Sequence, residues 1–227
     1  KPVAKAMKYF GEVLDKLPVE ELSERQRDAV IMLTDDVDKW GVGSIANILS
    51  KQAGIECSFT VSDDPVPDSK LYIVPSIAGW SVMHQRALWG MRDKVRDQGA
   101  TMFITYNGSQ LGEVEEILGL TSYGILKKGM NHTAEFPFGN MTYWVNAEAK
   151  LGSVGAEVLA RNEEGNIVFS KHKYGKGLVY FLNMPLEANL INKACVFDDS
   201  DYYKFYKIVG EEAIKDKVLV SNNTQVY

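Results

Sequence analysis

Residues able to do chemistry gather where the apolar runs of this sequence end. Asp35, Asp36, Asp38 and Trp40 follow the run Ala29-Val30-Ile31-Met32-Leu33-Thr34, and Ser76 and Trp80 follow Leu71-Tyr72-Ile73-Val74-Pro75. Tyr106, Asn107, Ser109 and Gln110 follow Thr101-Met102-Phe103-Ile104-Thr105, while Asn183 and Glu187 follow Leu178-Val179-Tyr180-Phe181-Leu182. Carboxylates and amides hydrogen-bond hydroxyl groups, and tryptophan faces stack on sugar C–H surfaces, so this set could contact a carbohydrate. The competing role is structural: acids cap helix amino termini, and tryptophans pack under loops.

Catalysis by these residues meets specific obstacles. A glycosidase needs two carboxyl groups flanking one bond, about 5 Å apart or wider. Asp35 and Asp36 are adjacent on one strand end and point to opposite faces, and Glu115-Glu116 lies on a surface helix. Ser109 would need glycines two positions before and after to form a hydrolase elbow, and finds Asn107 and Leu111 instead. His84, His132 and His172 lack metal-ligand spacing, as do Cys57 and Cys195, which read as packing residues. Gly41-Val42-Gly43-Ser44 lacks the third glycine and the lysine of phosphate loops. No catalytic residue, metal or cofactor is therefore expected.

The elements that position these residues alternate. Val3 to Leu17 has the spacing of an amphipathic helix, Ala29 to Thr34 of a buried strand, Ser44 to Ala53 of a helix stopped by Gly54, and Ile55 to Val61 of a strand. Leu71–Pro75, a helix from a Ser81 cap to Gln98 stopped by Gly99, and Thr101–Thr105 repeat the unit; Gln110 to Leu118 adds a short helix. Such alternation predicts a doubly wound, mostly parallel α/β sheet of flavodoxin-like type. From Thr121 the pattern turns to hairpins: 135–138 and 141–145 about a Gly139-Asn140 turn, then 156–161 and 166–170 about Glu163-Glu164-Gly165. The strand 178–182 returns to the main sheet, 199–216 is the last helix, and 218–227 reads as the first strand of another domain.

Composition sets outer bounds. Of 227 residues 45% are hydrophobic and 24% charged, and no apolar stretch approaches the roughly 20 residues a membrane span needs. A net charge of -5, with one basic cluster at Lys171, His172, Lys173 and Lys176, argues against nucleic-acid binding. Four Asn-x-Ser/Thr sequons, at Asn107, Asn131, Asn140 and Asn222, do not identify a compartment. The opening at Lys1, inside a helical pattern, reads as a cut from a longer protein. A signal peptide on that protein would make it periplasmic or secreted.

Asp36-Val37-Asp38-Lys39-Trp40, Val74-Pro75-Ser76, Lys173 to Tyr180 and Met184-Pro185-Leu186-Glu187, in this order and spacing, resemble the trimerisation domain of family 42 beta-galactosidases and related multidomain glycoside hydrolases. The resemblance covers most of the chain and implies the fold of class I glutamine amidotransferases without their triad. Thr105 to Ser109 occupies the place of the cysteine nucleophile and Asn183 to Glu187 that of the histidine base, and neither stretch holds one. It further implies an upstream (β/α)8 catalytic barrel and a downstream β-sandwich as partners. The expected division is 1–27 as linker or barrel end, 28–216 as the amidotransferase-like domain with an insertion at about 121–174, and 217–227 as the start of the next domain. The 121–155 stretch departs from the family pattern. The leading expectation is a non-catalytic accessory domain serving interdomain packing, oligomerisation or the shape of a sugar cleft. A stand-alone domain binding sugar through the rim, with Asp36, Trp40, Trp80, Asn107 and Glu187, is the second expectation, and a divergent serine hydrolase using Ser109 the third.

Overall fold

The computed structural model of the chain describes residues 2–16, 27–35, 38–108, 114–126, 129–191, 193 and 201–215. Its centre is built from runs too apolar to face water on either side. These are β1 (Ala29–Leu33), β3 (Leu71–Ile77), β4 (Thr101–Tyr106) and β11 (Gly177–Leu182), and β1, β3 and β4 are buried at every position. Together with β2 (Cys57–Val61), β9 (Glu157–Arg161) and β10 (Ile167–Tyr174) they make one seven-stranded sheet in the order β2-β1-β3-β4-β11-β10-β9. The first five are mutually parallel, β10 pairs antiparallel with β11, and β9 pairs antiparallel with β10.

Alternation along the strands gives each face its own core. Ile31, Leu33, Ile73, Phe103, Tyr180 and Leu182 pack with helices α2 (Lys39–Gln52), α5 (Leu186–Leu190) and α6 (Tyr203–Ala213). Met32, Tyr72, Val74, Met102, Ile104 and Phe181 pack on the other face with Ala87 and Met91 of helix α3 (Gln85–Asp93). Burial of both faces explains why these strands are continuously apolar. Helix α1 (Pro2–Leu14) stands apart: it has no buried residue, and Val3 and Met7 are each 71% exposed.

Several boundaries differ from the sequence reading. Helix α2 begins five residues before Ser44, because the Asp38 carboxylate accepts the Gly41 N–H at 2.9 Å and so caps the helix there. The 81–98 helix is divided into a 3₁₀ turn (Trp80–Val82), α3 and a π-helical segment (Lys94–Gln98), which Gly99 terminates at φ 84° as expected. The hairpin of β6 (Met130–Phe136) and β7 (Gly139–Val145) turns at Pro137-Phe138, and Gly139 and Asn140 are already paired with Phe136 and Glu135. The hairpins placed in the insertion divide: β9 and β10 extend the main sheet, whereas β6–β7 and the pair β5 (Leu120–Leu126) and β8 (Glu148–Ser153) form two separate sheets. Helix α4 (Val114–Leu118) falls within the expected 110–118 helix, of which 110–113 lie outside the described residues, and α6 begins at Tyr203. Residues 199, 200 and 216–227 lie outside the described residues. Among the described residues no helix is long and apolar enough to cross a membrane.

Candidate functional site

Two polar groupings lie at the carboxyl ends of the parallel strands, where ligands of such sheets bind. The first is sealed. Beyond β11 the chain turns at Pro185 into α5, which carries Glu187 in its first turn at 0% exposure. The β3 exit supplies Ser76, held at φ 45°, a left-handed conformation uncommon outside glycine. The Ser76 hydroxyl donates to Glu187 Oε2 at 2.7 Å and accepts the Ala188 N–H at 3.0 Å, while the Ser76 N–H donates to Thr105 Oγ1 at 2.5 Å. The Thr105 and Tyr206 hydroxyls also donate to Glu187, at Oε2 and Oε1 respectively.

Burial pushes the Glu187 carboxyl above its ordinary range, and the hydrogen bonds from Thr105, Tyr206 and Ser76 oppose that shift. A carboxyl group with its oxygens occupied and no path to solvent binds nothing from outside. Glu187 is therefore not on the rim where the sequence placed it. Neither are two of its companions. Tyr106 is 1% exposed against Phe181, with ring centroids 5.8 Å apart. Asn183 bonds the backbones of Ala149 and Ile167 through its amide and joins β8 to β10. Burial likewise raises the Cys57 thiol to about 12, so it is not a thiolate at neutral pH; Cys195 lies outside the described residues.

The second grouping is open. Between the exits of β1 and β3, where the strand order reverses, a cleft of about 660 Å³ is lined by Asp35, Ser81, His84, Gln85, Arg86 and Trp89 among others. The Asp35 N–H donates to the Val82 carbonyl at 2.8 Å, tying the strand exit to the 3₁₀ turn. Its carboxylate accepts from Lys39 Nζ and Ser62 Oγ, both at 3.3 Å. His84 Nε2 lies 3.6 Å from Asp63 Oδ1. The Arg92 guanidinium sits 5.9 Å from the centroid of Trp89, which is 45% exposed.

Among the described residues expected on the rim, Asp35 alone lines this cleft. Asp38 is committed to its cap, Trp40 is 63% exposed on α2 outside the cleft lining, and the Asn107 N–H is held by the Ile77 carbonyl at 2.9 Å. Trp80 opens the 3₁₀ turn, and Asp36, Ser109 and Gln110 lie outside the described residues. The sequence reading weighs His84 only for metal-ligand spacing and takes Arg86 and Trp89 only as part of one continuous helix from Ser81 to Gln98, so none of the three is placed at a site. The rule that ligands bind beyond the β1 and β3 exits was the signal pointing to them. For Asp38, replacement by alanine should lower stability by about 1 kcal/mol through loss of the cap, read as a lower thermal midpoint. An unchanged midpoint would leave it free for another role.

Elsewhere, His132 and Glu148 are both nearly fully buried. His132 Nδ1 contacts Glu163 at 2.9 Å and its Nε2 lies 3.7 Å from Glu148. Among the described residues no group of three or more His, Cys, Asp or Glu is placed to hold a metal ion.

No family model matches the sequence, and no curated protein does. Solved structures do resemble the fold. A catalytic mutant of Gan42B, a GH42 beta-galactosidase from G. stearothermophilus, superposes with a TM-score of 0.69 at 14% identity, over 93% of this chain and 34% of that one. The exo-beta-1,4-mannosidase Op5Man5 from Opitutaceae bacterium strain TAV5 gives 0.67 at 12% identity, over 82% and 36%. A cytoplasmic protein from Salmonella typhimurium LT2 gives 0.61 at 12% identity, over 83% of this chain and 99% of that one. The chain thus spans about a third of the length of the glycoside hydrolases it resembles.

Proposed function

We propose that this chain is a non-hydrolytic accessory domain of a multidomain, beta-galactosidase-like glycoside hydrolase, with a flavodoxin-like, amidotransferase-like sheet at its centre. The state of Glu187 carries the reading. It occupies the stretch where an amidotransferase keeps its base, and it is sealed by Ser76, Thr105 and Tyr206, so the place of the old chemistry is filled by a structural cluster. The strand order β2-β1-β3-β4-β11 supports the flavodoxin-like assignment, and helices on both faces support double winding.

Helix α1 supports a packing role. Val3, Met7, Phe10 and Leu14 recur at alternating four- and three-residue spacing along the helix, and each is at least 43% exposed. A bare stripe at that spacing is one that helices bury against a neighbour. The partners assigned are the barrel and β-sandwich of the same polypeptide, with a homo-oligomer as a further partner; interdomain packing and the shape of the sugar cleft are the domain's work. The test is a hydrolysis assay of the purified 227-residue chain on a panel of aryl glycosides. No turnover above buffer is expected. Turnover abolished by replacing an acid of this chain would overturn the reading.

A further inference from the structure

We propose that the cleft between Asp35 and Trp89 is a subsite for a neutral pyranose, a function that deepens the accessory-domain reading and rests on it. Its position is the crossover point between β1 and β3, where loops on both sides of the sheet diverge and leave a crevice. It is broad and largely open to solvent, about 660 Å³ in volume, room for one sugar ring laid against its wall.

The chemistry of the walls selects the ligand class. Trp89 lines the cleft while 45% exposed, with the Arg92 guanidinium 5.9 Å from its ring centroid. An exposed aromatic ring beside polar side chains suits a molecule with one C–H face and a rim of hydroxyls. Asp35 supplies acceptor oxygens whose orientation is set by Lys39 and Ser62. Gln85 and Ser81 supply both donors and acceptors, and Arg86 supplies donors alone.

Of the charged groups around the cleft, Asp35 lies 3.3 Å from Lys39 Nζ and Arg92 3.0 Å from Asp93, while Arg86 lines the cleft as a further cation. Exposed pairs of this kind leave little net field, and a single solvent-exposed guanidinium is screened by water and salt, so directed hydrogen bonds and ring stacking remain the main sources of affinity. A polyol meets those terms better than a phosphate or a carboxylate.

The experiment uses the whole chain and methyl β-galactopyranoside, methyl β-mannopyranoside and galacturonate as probes, followed by saturation-transfer NMR and calorimetry. Saturable binding of a neutral glycoside is expected, with Kd in the range of about 1–10 mM. Trp89→Ala should weaken it at least about tenfold, whereas Trp89→Phe, which keeps a ring, should stay within about threefold. Trp89 is half exposed, and an unchanged thermal midpoint in both variants will show that they fold. The inference is overturned if no neutral glycoside binds, if Trp89→Ala binds as well as the parent, or if galacturonate alone binds. The accessory-domain reading fails separately, on turnover in the aryl glycoside assay, so the two outcomes are distinguishable.

Discussion

Replacing Glu187 by alanine should destabilise the chain by about 3–5 kcal/mol, read from the urea midpoint at constant slope. The substitution leaves the hydroxyls of Ser76, Thr105 and Tyr206 without their common acceptor at a fully buried site, and it opens a cavity as well. Glu187→Gln keeps the shape and one acceptor oxygen, so its cost should be smaller, about 1–2 kcal/mol. The pH dependence separates the two effects. Burial raises the folded carboxyl above its ordinary value of 4.5, so the folded chain binds this proton more tightly than the unfolded chain. The contribution is therefore complete below the unfolded value and is lost as pH rises through the folded value. Glutamine does not titrate, and the stability difference between parent and Glu187→Gln should shrink with rising pH. A difference that stays constant from about pH 4 to pH 8 would show that burial leaves this carboxyl unshifted.

Phe205→Ala should cost about 3–5 kcal/mol as well, for a different reason. Phe205 is 0% exposed at a junction of aromatic rings: edge-on contacts to Phe136 and Phe138 at 4.9 Å and to Phe169 at 5.5 Å. Those partners belong to the β6–β7 hairpin and to β10, so one side chain joins α6, the hairpin and the main sheet. Hydrogen exchange should report where the loss falls. Amides of β6 and β7 should lose protection more than those of β1 and β3, which carry none of these three ring partners. Equal loss in all four strands would mean that the hairpin is not an independent packing unit.

These two residues also mark how far the sequence can be read. The runs 29–34, 71–75, 101–105 and 178–182 were legible as buried parallel strands because an apolar stretch of that length, bounded by turn residues, has few other stable uses. The stops at Gly54 and Gly99 were legible because a left-handed cap is a local requirement, met at φ 71° and 84°. The start of α2 was not legible: residues 39–43 include two glycines and look like loop, and the Asp38 cap overrides that weak propensity. The turn at Pro137-Phe138 escaped because Gly139-Asn140 is the stronger hairpin signal, yet the register of the pairing strands put those two residues inside the ladder.

The candidate sites divide in the same way. The absence of cysteine and histidine from 105–109 and 183–187 is a property of residue identity, and the sequence alone determines it. Whether Glu187 meets solvent or three hydroxyls depends on Ser76, Thr105 and Tyr206, which lie 111, 82 and 19 residues away along the chain. The cleft depends equally on a break between the 3₁₀ turn and α3 and on the β1 exit reaching it. Local pattern reports which way a side chain faces relative to its own element. What covers that face is decided by long-range packing, and only the tertiary structure determined that Glu187 is sealed while Trp89 stays open.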